Sequence, residues 1–326
     1  MPSPATLIIG CGYLGHALAR KLLEHAAASD TPRPIWATTR SETKARALFE
    51  LGLRPALLHV TQPLTFASLR PALDHPAPLD VVYLVPPGRP SSRDAAAPTP
   101  RQTVVGGIAT TLKQLRHAAN LRRLVLASST AVYGHQPCPP NAPLQAESPA
   151  LADSPRARLL LDGETLWLNA NDQPSFANTG AAFHVLRLAG IYGPGRVIGK
   201  RAVAEGHPLA GDPDAPLNLI HVDDAADALL AMLDPNRTPA PIELAADGHP
   251  IPRRDYYAAV AKHLGVDPPA ALPPAAALDL GIDPARLKAA SHKHLDPAST
   301  RDRLAWQPQH PNALNELPAL IQPATP

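Results

Sequence analysis

Cysteine is almost absent from this chain. Its 326 residues include two, Cys11 and Cys138, too few for a disulfide framework and in keeping with a reducing compartment. Charge of one sign is missing as well. Thirty Lys and Arg stand against 28 Asp and Glu, a formal net charge of +2, and no run of Lys or Arg marks a surface for nucleic acid or acidic membrane. No stretch approaches the roughly 18 consecutive apolar residues that span a bilayer. The first apolar run has no basic segment before it and is broken by three glycines, so it does not read as a signal peptide. These absences make a soluble, cytoplasmic protein the expectation, with neither nucleic acid nor membrane as partner. No repeat of solenoid type is visible.

Proline, in contrast, is abundant: 41 residues, gathered in 86–100, 137–155, 208–216 and 268–274. Proline fixes φ and removes a donor, so these short clusters read as rigid loops between periodic segments. The periodic segments alternate in kind. Strands are expected at 6–9, 34–38, 56–60, 81–85, 124–127 and 183–188, with helices at 12–25, 42–51, 102–119, 225–233 and 255–264. The strands are apolar throughout rather than alternating, which points to a parallel sheet covered on both faces. The fold class is therefore α/β, a Rossmann-type doubly wound sheet with a small C-terminal cap. Residues 1–188 form the nucleotide-binding domain, with 217–245 returning to it. Residues 189–216 and 246–326 form the smaller substrate and cap region, over the sheet edge where ligands sit in open α/β folds.

The first strand runs straight into Gly10-Cys11-Gly12-Tyr13-Leu14-Gly15, and Leu14, Leu18 and Leu22 follow at helical spacing. A lone Gly-x-Gly-x-x-Gly is often only a glycine-rich turn. Between a strand and a helix it reads as a dinucleotide site. Gly10 allows the sharp turn, Gly12 lets backbone approach a pyrophosphate, and Gly15 lets helix pack on strand. Cys11 reads as a small buried side chain within the turn. The second strand ends in Thr38-Thr39-Arg40. An NAD site usually places an acid here for the ribose 2′-hydroxyl, whereas Arg accommodates a 2′-phosphate. No carboxylate precedes Glu42, so NADP is expected in preference to NAD. The expected cofactor contacts are Gly10, Gly12, Tyr13, Leu14, Gly15, Thr39, Arg40, Val85 and Pro86.

Further along lie Ser128-Ser129-Thr130-Ala131-Val132-Tyr133-Gly134, Arg187 through Gly195, and His221-Val222-Asp223-Asp224. Together with the glycine turn these motifs resemble the extended short-chain dehydrogenases/reductases, the NAD(P)-dependent epimerases and dehydratases, over nearly the whole chain. The resemblance is to an atypical subgroup. It implies that Ser129 hydrogen-bonds the substrate oxygen, and a homodimer through a helix pair is common in the family. It also implies a Tyr-x-x-x-Lys pair, whose i, i+4 spacing brings proton donor and lysine to one helix face. That pair is missing. Aligning Glu164 with the family's glutamate puts Arg156 at the tyrosine position and Leu160 at the lysine position. No Tyr lies between Tyr133 and Tyr192, and no Lys between Lys113 and Lys200. Arginine stays charged and does not replace tyrosine as a proton donor.

Tyr133 and Tyr192 are conceivable substitutes, though each reads first as a packed ring with a satisfied hydroxyl. Arg156 and Arg158 suit an anionic group but read first as a solvated helix start, and Glu164 reads as a helix-surface acid. His221 and Asp223-Asp224 read as joints between sheet and cap. No metal site is expected, because His292-x-His294, the tightest histidine spacing, has no Cys or carboxylate beside it. Two functions follow. One is an NADP-dependent oxidoreductase or epimerase/dehydratase acting on a small or nucleotide-linked hydroxylated substrate, with Ser129 orienting it and a non-standard acid/base. The other is a catalytically degenerate NADP(H)-binding sensor or interaction protein.

Overall fold

In the computed structural model, residues 4–27, 33–88, 97–135, 138, 141–177, 179–273, 276, 279 and 292–321 are described. Parts of the proline clusters, including Pro90, Pro137 and Pro274, lie outside them. Seven strands form one sheet: β1 (Ala5–Ile9), β2 (Ile35–Thr39), β3 (Arg54–Leu57), β4 (Leu79–Tyr83), β5 (Leu121–Ser129), β6 (Ala182–Leu188) and β7 (Ile242–Ala245). Their order is β7-β6-β5-β4-β1-β2-β3, and every pair is parallel. The order turns back at β1, which pairs with β2 on one side and β4 on the other. That reversal opens a crevice at the strands' C-terminal ends, where open α/β sheets take their ligands.

All five residues of β1 are buried, and alternation along the strand sends them into two cores. Ile8 joins helices α1 (Tyr13–Ala27) and α5 (Val222–Leu233) on one face. Leu7 and Ile9 join α3 (Gly107–Leu115) and α4 (Pro155–Asn169) on the other. Helix α2 (Glu42–Glu50) lies between β2 and β3. Helix α4 packs closely on α3, because a Cβ at Gly163 would come within 3.0 Å of Ile108 and Val104. A third core unites Tyr192, Leu219, Ile251, α6 (Arg253–Leu264) and α8 (Ala313–Leu320). Helix α7 (Ala298–Leu304) packs instead on α5 and β7, and Leu295, Leu304 and Trp306 enter the first core.

Several expected boundaries are corrected. Strands β3 and β4 each begin two residues before the expected position, since pairing to β2 and β1 sets the register rather than the apolar run. The expected helix 102–119 divides into a π-turn at Gln102–Gly106 and α3, which ends at Leu115. Strand β7 has no counterpart among the strands expected from sequence. It carries Glu243, whose charge hides the strand; the carboxylate is buried and taken by Arg303 Nε at 2.9 Å, Ala240 N at 2.7 Å and Thr300 Oγ1.

Just past β7, Asp247 is buried. One carboxylate oxygen accepts from His249 N at 2.9 Å, and Oδ2 has no partner among the described residues. Burial pushes its pKa up to about 7, against the pull of that amide and of Arg301. A folded-state value above the unfolded one means that stability is fully present below the unfolded pKa and is lost as pH rises through the folded one. Asp247→Asn should therefore gain stability relative to wild type as pH rises from about 4 to about 7. Urea unfolding across that range reads the difference, and parallel curves would exclude the buried acid as its source.

Candidate active site

The glycine turn is held from three sides. Gly10 adopts φ of +89°, the left-handed region that favours glycine, and donates its N–H to Thr38 Oγ1 at 2.8 Å. Cys11 N donates to Thr38 O at 2.9 Å, which ties the turn to β2. A Cβ on Gly10 would lie 2.9 Å from Val85 Cγ2, while one on Gly15 would lie 3.2 Å from the Gly10 carbonyl. At Gly12 a Cβ would meet nothing within 4 Å, so the space there is open. The Cys11 thiol is buried, which pushes its pKa up to about 12 and makes it a small packed group rather than a reactive one.

Around the turn, Leu14 packs into the core. The Tyr13 ring lies 5.6 Å from the Arg196 guanidinium, and its buried hydroxyl has no partner among the described residues. Thr39, the last residue of β2, accepts from Ser41 N through Oγ1 at 3.3 Å. Arg40 is exposed beside it. Ser41 then caps α2 by accepting from Lys44 N. Val85 and the exposed Pro86 follow β4 across the crevice. The open space at Gly12, the tight turn at Gly10 and the N-terminal end of α1 fit a dinucleotide pyrophosphate.

The second half of the crevice is the C-terminal edge of β5. Ser128 and Ser129 are neighbours with separate partners. Ser128 Oγ donates to Glu164 Oε1 at 2.5 Å. Ser129 Oγ accepts from Ala131 N at 3.2 Å, and its proton has no acceptor among the described residues. Glu164 corrects the sequence reading: it is a buried acid, not a surface one. Arg187 on β6 neutralises it, with Nη2 to Oε2 at 2.7 Å and Nε to Oε2 at 3.1 Å. Helical periodicity alone does not reveal a partner on a later strand.

Arg187 also lies 4.8 Å from the centre of the Tyr133 ring. The Tyr133 hydroxyl donates to Gln145 O at 2.8 Å, and burial pushes its pKa up although Arg187 opposes this. Tyr192 is fully buried against His221, and burial likewise pushes its pKa up. Both rings pack, but only the Tyr133 hydroxyl is satisfied as expected; that of Tyr192 is buried with no partner among the described residues. At the start of α4, Arg156 and Arg158 are exposed and Leu160 is buried.

Three titratable groups near this edge escaped sequence reasoning. Asp153 precedes the α4 cap Ser154 and accepts from His135, at 2.7 Å from Nδ1 and 3.0 Å from the backbone N–H. Burial works against the Asp153 carboxylate, but the two His135 hydrogen bonds outweigh it and hold its pKa below the usual range. Ala152, just before it, has φ of +46°, an uncommon conformation for a residue with a Cβ. Lys293 comes from far along the chain and donates from Nζ to Thr130 O at 3.2 Å. His135 adjoins Gly134 of a recognised motif and was findable, whereas Lys293 enters the sequence reading only as the middle residue of His292-x-His294, a spacing weighed for metal.

His221 and Asp224 join the C-terminal segment to the sheet, whereas Asp223 turns to α1. Asp224 is fully buried and accepts from Gln309 N at 2.7 Å and His310 N at 3.0 Å. His221 stacks on His310 with ring centres 3.9 Å apart, and Asp223 pairs with Arg20 of α1.

Sheet order and a glycine turn at the switch point put the molecule among Rossmann-type α/β proteins. Within them, the chain belongs to the NAD dependent epimerase/dehydratase family, whose model matches residues 6–245. It is 29% identical over 157 residues to Protein YeeZ of Escherichia coli K12, covering 47% of this chain and 50% of that protein; the chain thus spans about half the length of that curated relative. It is also 29% identical over 212 residues to a Streptomyces 3-diazoavenalumate denitrifying reductase, covering 62% of this chain and 66% of that one. Among solved structures, a functionally unknown conserved protein from Silicibacter pomeroyi is similar at 25% identity and a TM-score of 0.67, with 98% of each chain covered. MoeE5 in complex with UDP-glucose and NAD is similar at 20% identity and a TM-score of 0.73, with 97% of each chain covered. Among the described residues no helix is long and apolar enough to cross a membrane.

Removing one partner of the buried pair leaves the other charge stranded. Glu164→Leu and Arg187→Met should each lower the free energy of unfolding by about 3–5 kcal/mol. The double replacement should cost clearly less than the two losses combined. Urea denaturation of the three variants checks this, and strictly additive losses would show that the two charges do not depend on each other.

Proposed function

We propose that this chain is an NADP(H)-dependent oxidoreductase or epimerase acting on a hydroxylated, nucleotide-linked substrate, with a proton-transfer group other than the family's Tyr-x-x-x-Lys pair. One observation carries the reading: the glycine turn after β1 and Ser129 with its unused donor lie at the C-terminal edge of one parallel sheet. The open space at Gly12 would receive the pyrophosphate, with Gly10 and Gly15 shaping the turn and Tyr13, Leu14, Val85 and Pro86 flanking it. Thr39 and the exposed Arg40 would hold the adenosine ribose. With no acid at Thr38, Thr39 or Arg40, a 2′-phosphate meets a guanidinium there rather than a carboxylate, which favours NADP over NAD. The solved structures that carry NAD support a nicotinamide cofactor in this fold.

When bound, an oxidised nicotinamide accepts the hydride from the carbon that bears the substrate hydroxyl. Ser129 donates its unused hydrogen bond to that oxygen and orients it. The hydroxyl proton departs as the hydride does, so the chain must supply an acceptor nearby. Nucleotide sugars are the substrate class suggested by the solved relatives bound to UDP-glucose and UDP-glucuronic acid. The buried Leu160 at the position of the family's lysine favours a second reading, a dinucleotide-dependent sensor without turnover.

Purified protein mixed with NADP+ or NADPH and a panel of alcohols, carbonyls and nucleotide sugars separates these readings. Turnover that falls about 100-fold or more in Ser129→Ala is expected for the enzyme. Tight NADPH binding without turnover across the panel would favour the sensor. Arg40→Ala should weaken NADPH by roughly 10-fold, consistent with a lost charge-assisted contact of about 1.5 kcal/mol, and leave NADH unchanged. Equal affinity for both cofactors in wild type would rule out the NADP assignment.

A further inference from the structure

Lys293 is placed with unusual care for a lysine outside any helix or strand. Asn218 Nδ2 donates to its carbonyl at 2.7 Å, and Asn218 Oδ1 accepts from Leu295 N at 3.3 Å. On the other side Leu144 N donates to His294 O at 2.8 Å, and Asp296 N donates to Leu144 O at 2.9 Å. The backbone around Lys293 is thus clamped between the segment after β5 and the short strand at Leu219–His221. Its half-buried side chain reaches the crevice, and Nζ rests on the carbonyl of Thr130, the residue next to Ser129. An ammonium has three donors, and this carbonyl is its one acceptor among the described residues.

We propose that Lys293 is the proton acceptor and donor for the substrate oxygen held by Ser129, in place of the pair that α4 lacks. This rests on the function proposed above. In the oxidative direction the O–H bond of the substrate breaks and its proton goes to the neutral amine. The C–H bond breaks with it, and its electron pair goes with hydrogen to the oxidised nicotinamide dinucleotide. In reduction the ammonium returns the proton. Burial pushes the Lys293 pKa below the usual lysine range, while Asp153 opposes that shift. The charged group that acts on it is Asp153, itself held by His135. Lysine, unlike arginine, can lose its proton when buried, so Arg156 is not an equivalent donor.

The test is an NMR titration of the full chain with its lysines carrying 13C-methyl labels, with the Lys293 signal identified by its loss in Lys293→Arg or, if that variant does not fold, in Lys293→Gln. In the unliganded chain, Lys293 should titrate below every other lysine. With NADP+ it should titrate lower again than with NADPH, because the nicotinamide charge is present only in the oxidised form. In any substrate that turns over, Lys293→Arg should lose at least about 100-fold in turnover and hold NADPH within about threefold of wild type. A Lys293 signal that titrates with the other lysines, or that ignores the oxidation state of the nicotinamide, overturns the inference alone. A chain that binds neither form of the cofactor overturns the proposed function, and this inference with it.

Discussion

The C-terminal edge of β5 and β6 depends on one buried ion pair. Glu164 comes from α4, and its carboxylate accepts from both Arg187 of β6 and Ser128 of β5. Both charged side chains are almost completely withdrawn from water, where an unmatched charge would be costly. The three elements must therefore meet in one arrangement. Because side chains alternate along a strand, committing Ser128 to the α4 side turns Ser129 to the opposite side of β5. The pair thus decides which serine is structural and which one is left with an unused donor. Arg187 extends the same network to Tyr133, whose hydroxyl anchors the segment at Gln145 and Ala146. That segment in turn meets the backbone around Lys293 through Leu144.

The two halves of the crevice are built on different principles. The half with the glycine turn is local: one turn, one strand end and one helix start lie within residues 5–41, where close contacts leave little room for a Cβ on Gly10 or Gly15. The reaction half is assembled from distant pieces. Ser129, His135, Asp153 and Lys293 approach one another only because β5, the cap of α4 and the C-terminal segment fold onto the same edge. Helix α4 itself contains no Tyr and no Lys, and near its start Arg156 is exposed and Leu160 buried.

What was legible in the sequence follows this division. The apolar strands and the glycine turn declared a parallel doubly wound sheet, because their signals are short-range: unbroken apolar runs, helices of period 3.6 and one turn between them. Strand β7 was hidden by Glu243, whose compensation by Arg303 and Thr300 arises almost sixty residues later. Glu164 was misjudged for the same reason: its partner lies on another element. The π-turn before α3 was invisible because its composition is that of the helix it precedes. Charges are read from sequence as solvated unless a partner is in view, and here the partners are supplied by tertiary folding.

The central claim is that the Gly10–Gly15 turn and Arg40 hold NADP with its nicotinamide beside Ser129. A crystal structure of the chain grown with NADP+ tests it most directly. The account predicts the pyrophosphate over Gly12, the 2′-phosphate against Arg40 and the nicotinamide at the end of β5 near Ser129. A 2′-phosphate directed away from Arg40, or a nicotinamide remote from Ser129, would contradict it.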